Sequence, residues 1–183
     1  MHKLEWQVDG VWVPHSHAPV FTTESFGDGP PRLLASVPNG DAKLFLNLLD
    51  CLAPPFYLLY VLHTPRGEGE AGRYQSESLE DDEVRAFVNR FSSFLSGDAR
   101  FDLWAHSPAA GGTIVWDRHN LIYGYGPIGC FSEVLISSGF SVGVPRVPDA
   151  HAHRYREEFD GDAKAILSAF SWQHFELRPE DEQ

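Results

Sequence analysis

Cysteine is scarce in this 183-residue chain, with two in all, Cys51 and Cys130, and neither belongs to a CxxC or to a short Cys/His spacing. At this length a chain buries a sizeable core without disulfides or a structural metal. Both cysteines are therefore expected as reduced thiols inside the core, which points to a reducing, cytoplasmic compartment. Long apolar runs are missing as well. The longest, residues 56–62, is far too short to cross a bilayer, and residues 1–6 lack a signal-peptide stretch. Positive charge is thin, with 14 Lys and Arg against 26 Asp and Glu and a formal net charge of -12. No basic run offsets it, so nucleic acid and anionic membrane are poor partners, whereas solubility or docking to a basic protein is favoured. The sequence also has no GxSxG elbow, P-loop or GxGxxG. Gly124-Tyr125-Gly126 lacks both the third glycine and the downstream acid of a dinucleotide site, so no nucleotide cofactor is expected.

What is present reads as one α+β domain over residues 1–183, with 43% hydrophobic and 22% charged residues. Leu4, Trp6 and Val8 alternate with polar residues before Asp9-Gly10 and Val11-Trp12-Val13, which predicts an N-terminal hairpin within residues 1–14. Residues 15–38, with Gly27-Asp28-Gly29-Pro30-Pro31, read as a covering loop holding at most a short strand at 33–37. Asp41 caps a helix that carries Phe45, Leu48, Leu49 and Leu52 and stops at Pro54-Pro55. Residues 56–62, apolar on both alternating faces, predict a central strand covered on both sides. After a polar loop at 64–77, Ser78 and Asp81 form a capping-box variant for a helix that Gly97 closes.

Strands follow at 101–106, 113–116 and 121–125, the last two joined by the turn Asp117-Arg118-His119-Asn120. Gly126-Pro127 opens a third helix, residues 140–144 return as a strand, a last helix covers 163–170, and residues 176–183 form a mobile acidic tail. The expected fold is a mixed parallel and antiparallel central sheet, with helices on its faces and the small hairpin at its start.

Two strand-like runs end alike, one entering His63-Thr64-Pro65 and the other His106-Ser107-Pro108. A helix between them suggests parallel neighbours, which would gather His63, Thr64, His106, Ser107 and Tyr125 on one sheet edge. Residues 140–144 would deliver His151-Ala152-His153 to the same edge. The HxH spacing puts both imidazoles on one face of an extended strand, where they could chelate a divalent metal such as zinc, with His63 and His106 as further ligands. Ring nitrogens within about 5 Å of one another would fit shared ligation. His15 and His17 form a second HxH read as surface, and the Asp117-Arg118-His119 trio reads as turn chemistry.

Two functions fit these features. The first is an acidic, aromatic-rich, non-enzymatic module that binds a protein or a small molecule and needs no cofactor. The alternative is a metal-dependent, hydrolase-like enzyme built on the histidines.

Overall fold

The computed structural model describes residues 1–25, 27 and 29–181. Asp28 of the glycine- and proline-rich loop, and Glu182 and Gln183 of the acidic tail, lie outside the described residues. In chain order the elements are β1 (Leu4–Val8), β2 (Val11–Pro14), β3 (Val20–Glu24), β4 (Arg32–Ser36), α1 (Ala42–Leu49), β5 (Tyr57–Leu62) and β6 (Gly72–Gln75). There follow α2 (Asp81–Arg90), α3 (Ser92–Gly97), β7 (Phe101–Ser107), β8 (Gly112–Trp116), β9 (Leu121–Tyr125) and α4 (Ile128–Ser137). The chain closes with β10 (Ser141–Val142), β11 (His151–His153), α5 (Asp160–Ile166) and β12 (Gln173–Phe175).

The fold is mixed α+β, as the sequence implies, and divides into two sheets. A nine-stranded sheet runs in the order β10-β3-β4-β9-β8-β7-β5-β6-β12, and a three-stranded one in the order β11-β1-β2. The hairpin forms where Asp9-Gly10 allows it, with φ of 49° and 81°, the left-handed pair that a two-residue turn requires. Asp41 caps α1 through a bond from the Lys43 amide at 3.0 Å. The second cap lies two residues later than expected: Glu80 is the N-cap of α2, and its amide donates to Glu83 at 2.8 Å.

The expected parallel pairing of the 56–62 and 101–106 strands is overturned, because β5 and β7 are antiparallel, with Tyr57 opposite His106 and Leu62 opposite Phe101. The cause is β6, which lies inside the segment read as a polar loop. It folds back on β5 as an antiparallel neighbour, and only then do α2 and α3 carry the chain over to β7. The rule that a helical crossover joins parallel strands therefore holds for β6 and β7, with β5 lying between them. Only Tyr74 of β6 belongs to the hydrophobic core, which is why the strand carries so weak an apolar signal. Residues 15–38 hold two strands, β3 and β4, where one was expected, and the sheet's parallel pairing is that of β10 with β3.

Alternation along the strands builds the core. Leu58, Tyr60 and Leu62 of β5, with Phe101, Leu103 and Ala105 of β7, face Phe45 and Leu48 of α1, Val84 and Phe87 of α2, and Phe131 of α4. On the other face of β5 Val61 is buried while Tyr57 and Leu59 are half-buried, so the second face is covered in part, outside this cluster. A Cβ at Gly124 would lie 2.9 Å from the Phe131 ring, so the glycine lets α4 sit close on β9.

The thiol expectation is overturned too, since Cys51 and Cys130 form a disulfide with a Cα–Cα distance of 5.8 Å across 79 residues. Cys51 lies just past α1 and Cys130 in the first turn of α4, and these helices are neighbours over the sheet. No local spacing could announce that pairing. It removes the ground for a reducing, cytoplasmic compartment. Among the described residues no helix is long and apolar enough to cross a membrane. β12 pairs with β6 immediately before the segment expected as a tail at 176–183, and within that segment Asp181 meets Arg73 at 3.6 Å.

Candidate metal centre

β1 recruits β11, with Leu4 opposite His153 and Trp6 opposite His151, so the HxH pair stands on one face of the small sheet. The β8–β9 turn supplies the third member. Asp117 shapes that turn by accepting the backbone amides of His119 and Leu121, both at 2.8 Å, through one carboxylate oxygen. Its other oxygen meets Nδ1 of His119 at 3.1 Å. One carboxylate thus folds the loop and aims the ring.

One nitrogen from each of His119, His151 and His153 lies within 4.8 Å of the others, and this is the single such group of three or more potential ligands among the described residues. The His151 Nδ1 is 2.7 Å from the Pro148 carbonyl, so it donates there, and Nε2 stays available as a ligand. Carboxylate and carbonyl anchors of this kind fix the tautomer of metal-binding histidines. Nε2 of His153 is buried with no hydrogen-bond partner. Burial, reinforced by His119, Arg118 and His151, lowers the His153 pKa to about 3 against the opposing pull of Asp102, so the ring is a neutral donor at ordinary pH. A tetrahedral zinc with bonds of about 2.1 Å needs nitrogens about 3.4 Å apart, so small side-chain rotations close the triangle.

The surroundings are ordered. Lys3, fully buried, donates to the Asp117 carbonyl at 3.0 Å and lies 4.5 Å from the centroids of both Phe101 and Trp116, which ties the small sheet to the large one. Burial pushes its pKa down to about 8, although Asp117, Asp102 and Asp98 oppose the shift. His17, read as a surface residue, is buried instead and meets the His119 carbonyl at 2.8 Å, with His15 3.3 Å behind it. Burial lowers the pKa of both rings, and for His15 the neighbouring His17 adds to it.

The expected edge divides between the two ends of the large sheet. His63 lies at the triad's end, its Nε2 3.0 Å from Asp102, whose other oxygen accepts the Arg118 amide at 2.8 Å. Thr64 is beside it, with its amide on the Arg100 carbonyl at 3.2 Å. His106 is exposed at the far end, bonded to Thr113 at 2.9 Å, and the antiparallel β5–β7 pairing is what separates it from His63. Ser107 is buried there and spent on the Ala53 carbonyl and the Ala110 amide. Of the expected metal ligands, His151 and His153 come together, whereas His63 and His106 do not join them. Tyr125 lines a cavity of about 210 Å³ that also touches His119, Asp117 and Asp102.

His119 is the member the sequence reading passed over. Its one signal is the Asp-x-His spacing in a tight turn, where a carboxylate two residues back can hold Nδ1. Against family models, curated proteins and solved structures alike the chain finds no match, so the character of this centre rests on its own geometry.

Proposed function

We propose that the protein holds a divalent metal of the zinc class on His119, His151 and His153, and that its chemistry is metal-assisted hydrolysis. The observation that carries this reading is the convergence of three imidazole nitrogens within 4.8 Å, delivered by two separate sheets. Two of the rings are anchored through Nδ1 by Asp117 and Pro148. Neutral imidazoles suit zinc, and three of them leave a fourth tetrahedral position for a water or a ligand oxygen. In that position the cation supplies a polarised oxygen or a hydroxide near neutral pH.

Zinc titration calorimetry with elemental analysis tests the centre. One equivalent should bind the wild type, and His119→Ala and His153→Ala should each lose it; a wild-type protein that neither binds nor is stabilised by zinc sinks the reading. Hydrolysis of 4-nitrophenyl acetate by the loaded protein tests the chemistry. The formal charge of -12 favours a second reading, a non-enzymatic module docking a basic protein, in which zinc binds but the ester is untouched.

A further inference from the structure

The cavity beside the triad has a composition of its own. At about 210 Å³ it falls below the ~300–1,000 Å³ of pockets for drug-sized ligands, which suits a single ring with a short substituent. Its wall is a row of side chains in lateral register: Trp104 stands opposite Val115, and Val115 opposite Tyr123, so all three share one face of β7, β8 and β9. Tyr125, two residues beyond Tyr123, extends the row. The Arg32 guanidinium lies 4.8 Å over the Tyr123 ring, so the open apolar wall is that of Trp104 and Val115, and Asp102, Asp117 and His119 line the same cavity.

Donors punctuate it. The Trp104 indole N–H is buried with no partner, an arrangement costly to leave unmade. Burial first, and Asp117 second, push the Tyr123 phenol well above its ordinary value, so it keeps its proton. Four carboxylates line the cavity, those of Asp102, Asp117, Glu180 and Asp181, against the two guanidiniums of Arg32 and Arg118. A divalent ion on the triad brings that formal sum to zero. The matching guest is then an oxygen donor that is neutral or carries one negative charge, attached to a flat body.

We propose that this cavity is the ligand slot of the metal centre and takes a small aromatic acyl compound, its carbonyl or carboxylate oxygen turned to the triad and its ring laid against Trp104 and Val115. The proposal rests on the metal reading above. Calorimetry on the zinc-loaded full chain with two probes, benzohydroxamate and acetohydroxamate, tests it. Both present the same metal-binding head, and they differ in the ring. Benzohydroxamate should bind about ten-fold tighter or more, the return for burying one phenyl group. In Val115→Phe, which fills the slot, that preference should fall to about two-fold or less with zinc affinity unchanged. Trp104→Leu, which removes the ring and its N–H at a half-buried position, should lower it in the same direction. Equal binding of the two probes by the zinc-loaded wild type, or a preference that survives both substitutions, overturns the slot and leaves the metal centre standing. Failure of the wild type to bind zinc overturns the metal centre, and the slot with it.

Discussion

Two polar clusters lie at one end of the large sheet and are built on opposite terms. Around Arg100, which immediately precedes β7, the guanidinium is fully buried and answered on every side. Asp98 accepts at 2.8 and 3.0 Å, Glu68 at 3.0 Å, Asp160 at 3.1 Å and the Arg156 carbonyl at 3.0 Å. Burial works against the charge, yet Asp98 and Glu68 outweigh it and hold the Arg100 pKa above its ordinary value. In the histidine triad, by contrast, the outer nitrogens of two rings are secured and Nε2 of His153 has no mate. A saturated buried network fixes a fold; the triad, with two rings anchored and one buried atom unmatched, is the arrangement that the proposed metal would complete. Lys3 stands between these extremes, a buried cation held by a carbonyl and two rings.

The sharpest break of this contrast is Arg100→Met. It leaves Asp98 and Glu68 as buried carboxylates without their cation, and urea unfolding should show a loss of about 3–5 kcal/mol. His153→Ala should act in the other sense. Without metal its stability should stay near that of the wild type, but the gain of about 2.7 kcal/mol that the wild type shows at zinc one hundred times its Kd should vanish. Equal losses in the metal-free forms of the two variants would erase the distinction.

Lys3 gives the third test, through pH. Its folded pKa is lowered, so the unfolded chain binds more protons between the folded value of about 8 and the ordinary 10.5. Stability must therefore rise with pH across that window. Unfolding compared at pH 7 and pH 9.5 should show a gain of about 2 kcal/mol from this group, absent in Lys3→Met; identical profiles in the two proteins would refute it. The smallest effect is expected of Asp117→Asn, which keeps an oxygen for the turn but loosens the His119 ring. Zinc affinity should drop about ten-fold or somewhat more, read by competition with a chelator, with little change in the metal-free Tm.

The elements legible in the sequence were those whose cause is local. Asp9-Gly10 dictates its hairpin, Asp41 its helix, and the Gly126-Pro127 pair the start of α4, because each acts within a few residues. Partnership was less legible. β6 presents one core side chain, Tyr74, in a polar stretch, and missing it reversed the direction inferred for β7. The cysteines are 79 residues apart, and their meeting depends on how α1 and α4 lie over the sheet. For the site, the HxH spacing pointed to His151 and His153 because alternation along a strand is a local rule. His119 was hidden, since only the docking of the small sheet on the large one brings a turn residue opposite β11.

That division of labour has a mechanical corollary. Two of the three imidazoles ride on β11, held by the amino-terminal hairpin, and the third on the β8–β9 turn, so the ion proposed to sit between them would act as a rivet across the seam. Any slippage of one layer against the other would change the coordination angles, and any change in occupancy would stiffen or free the seam. On the proposed reading, loading state and the rigidity between the two sheets would be a single variable.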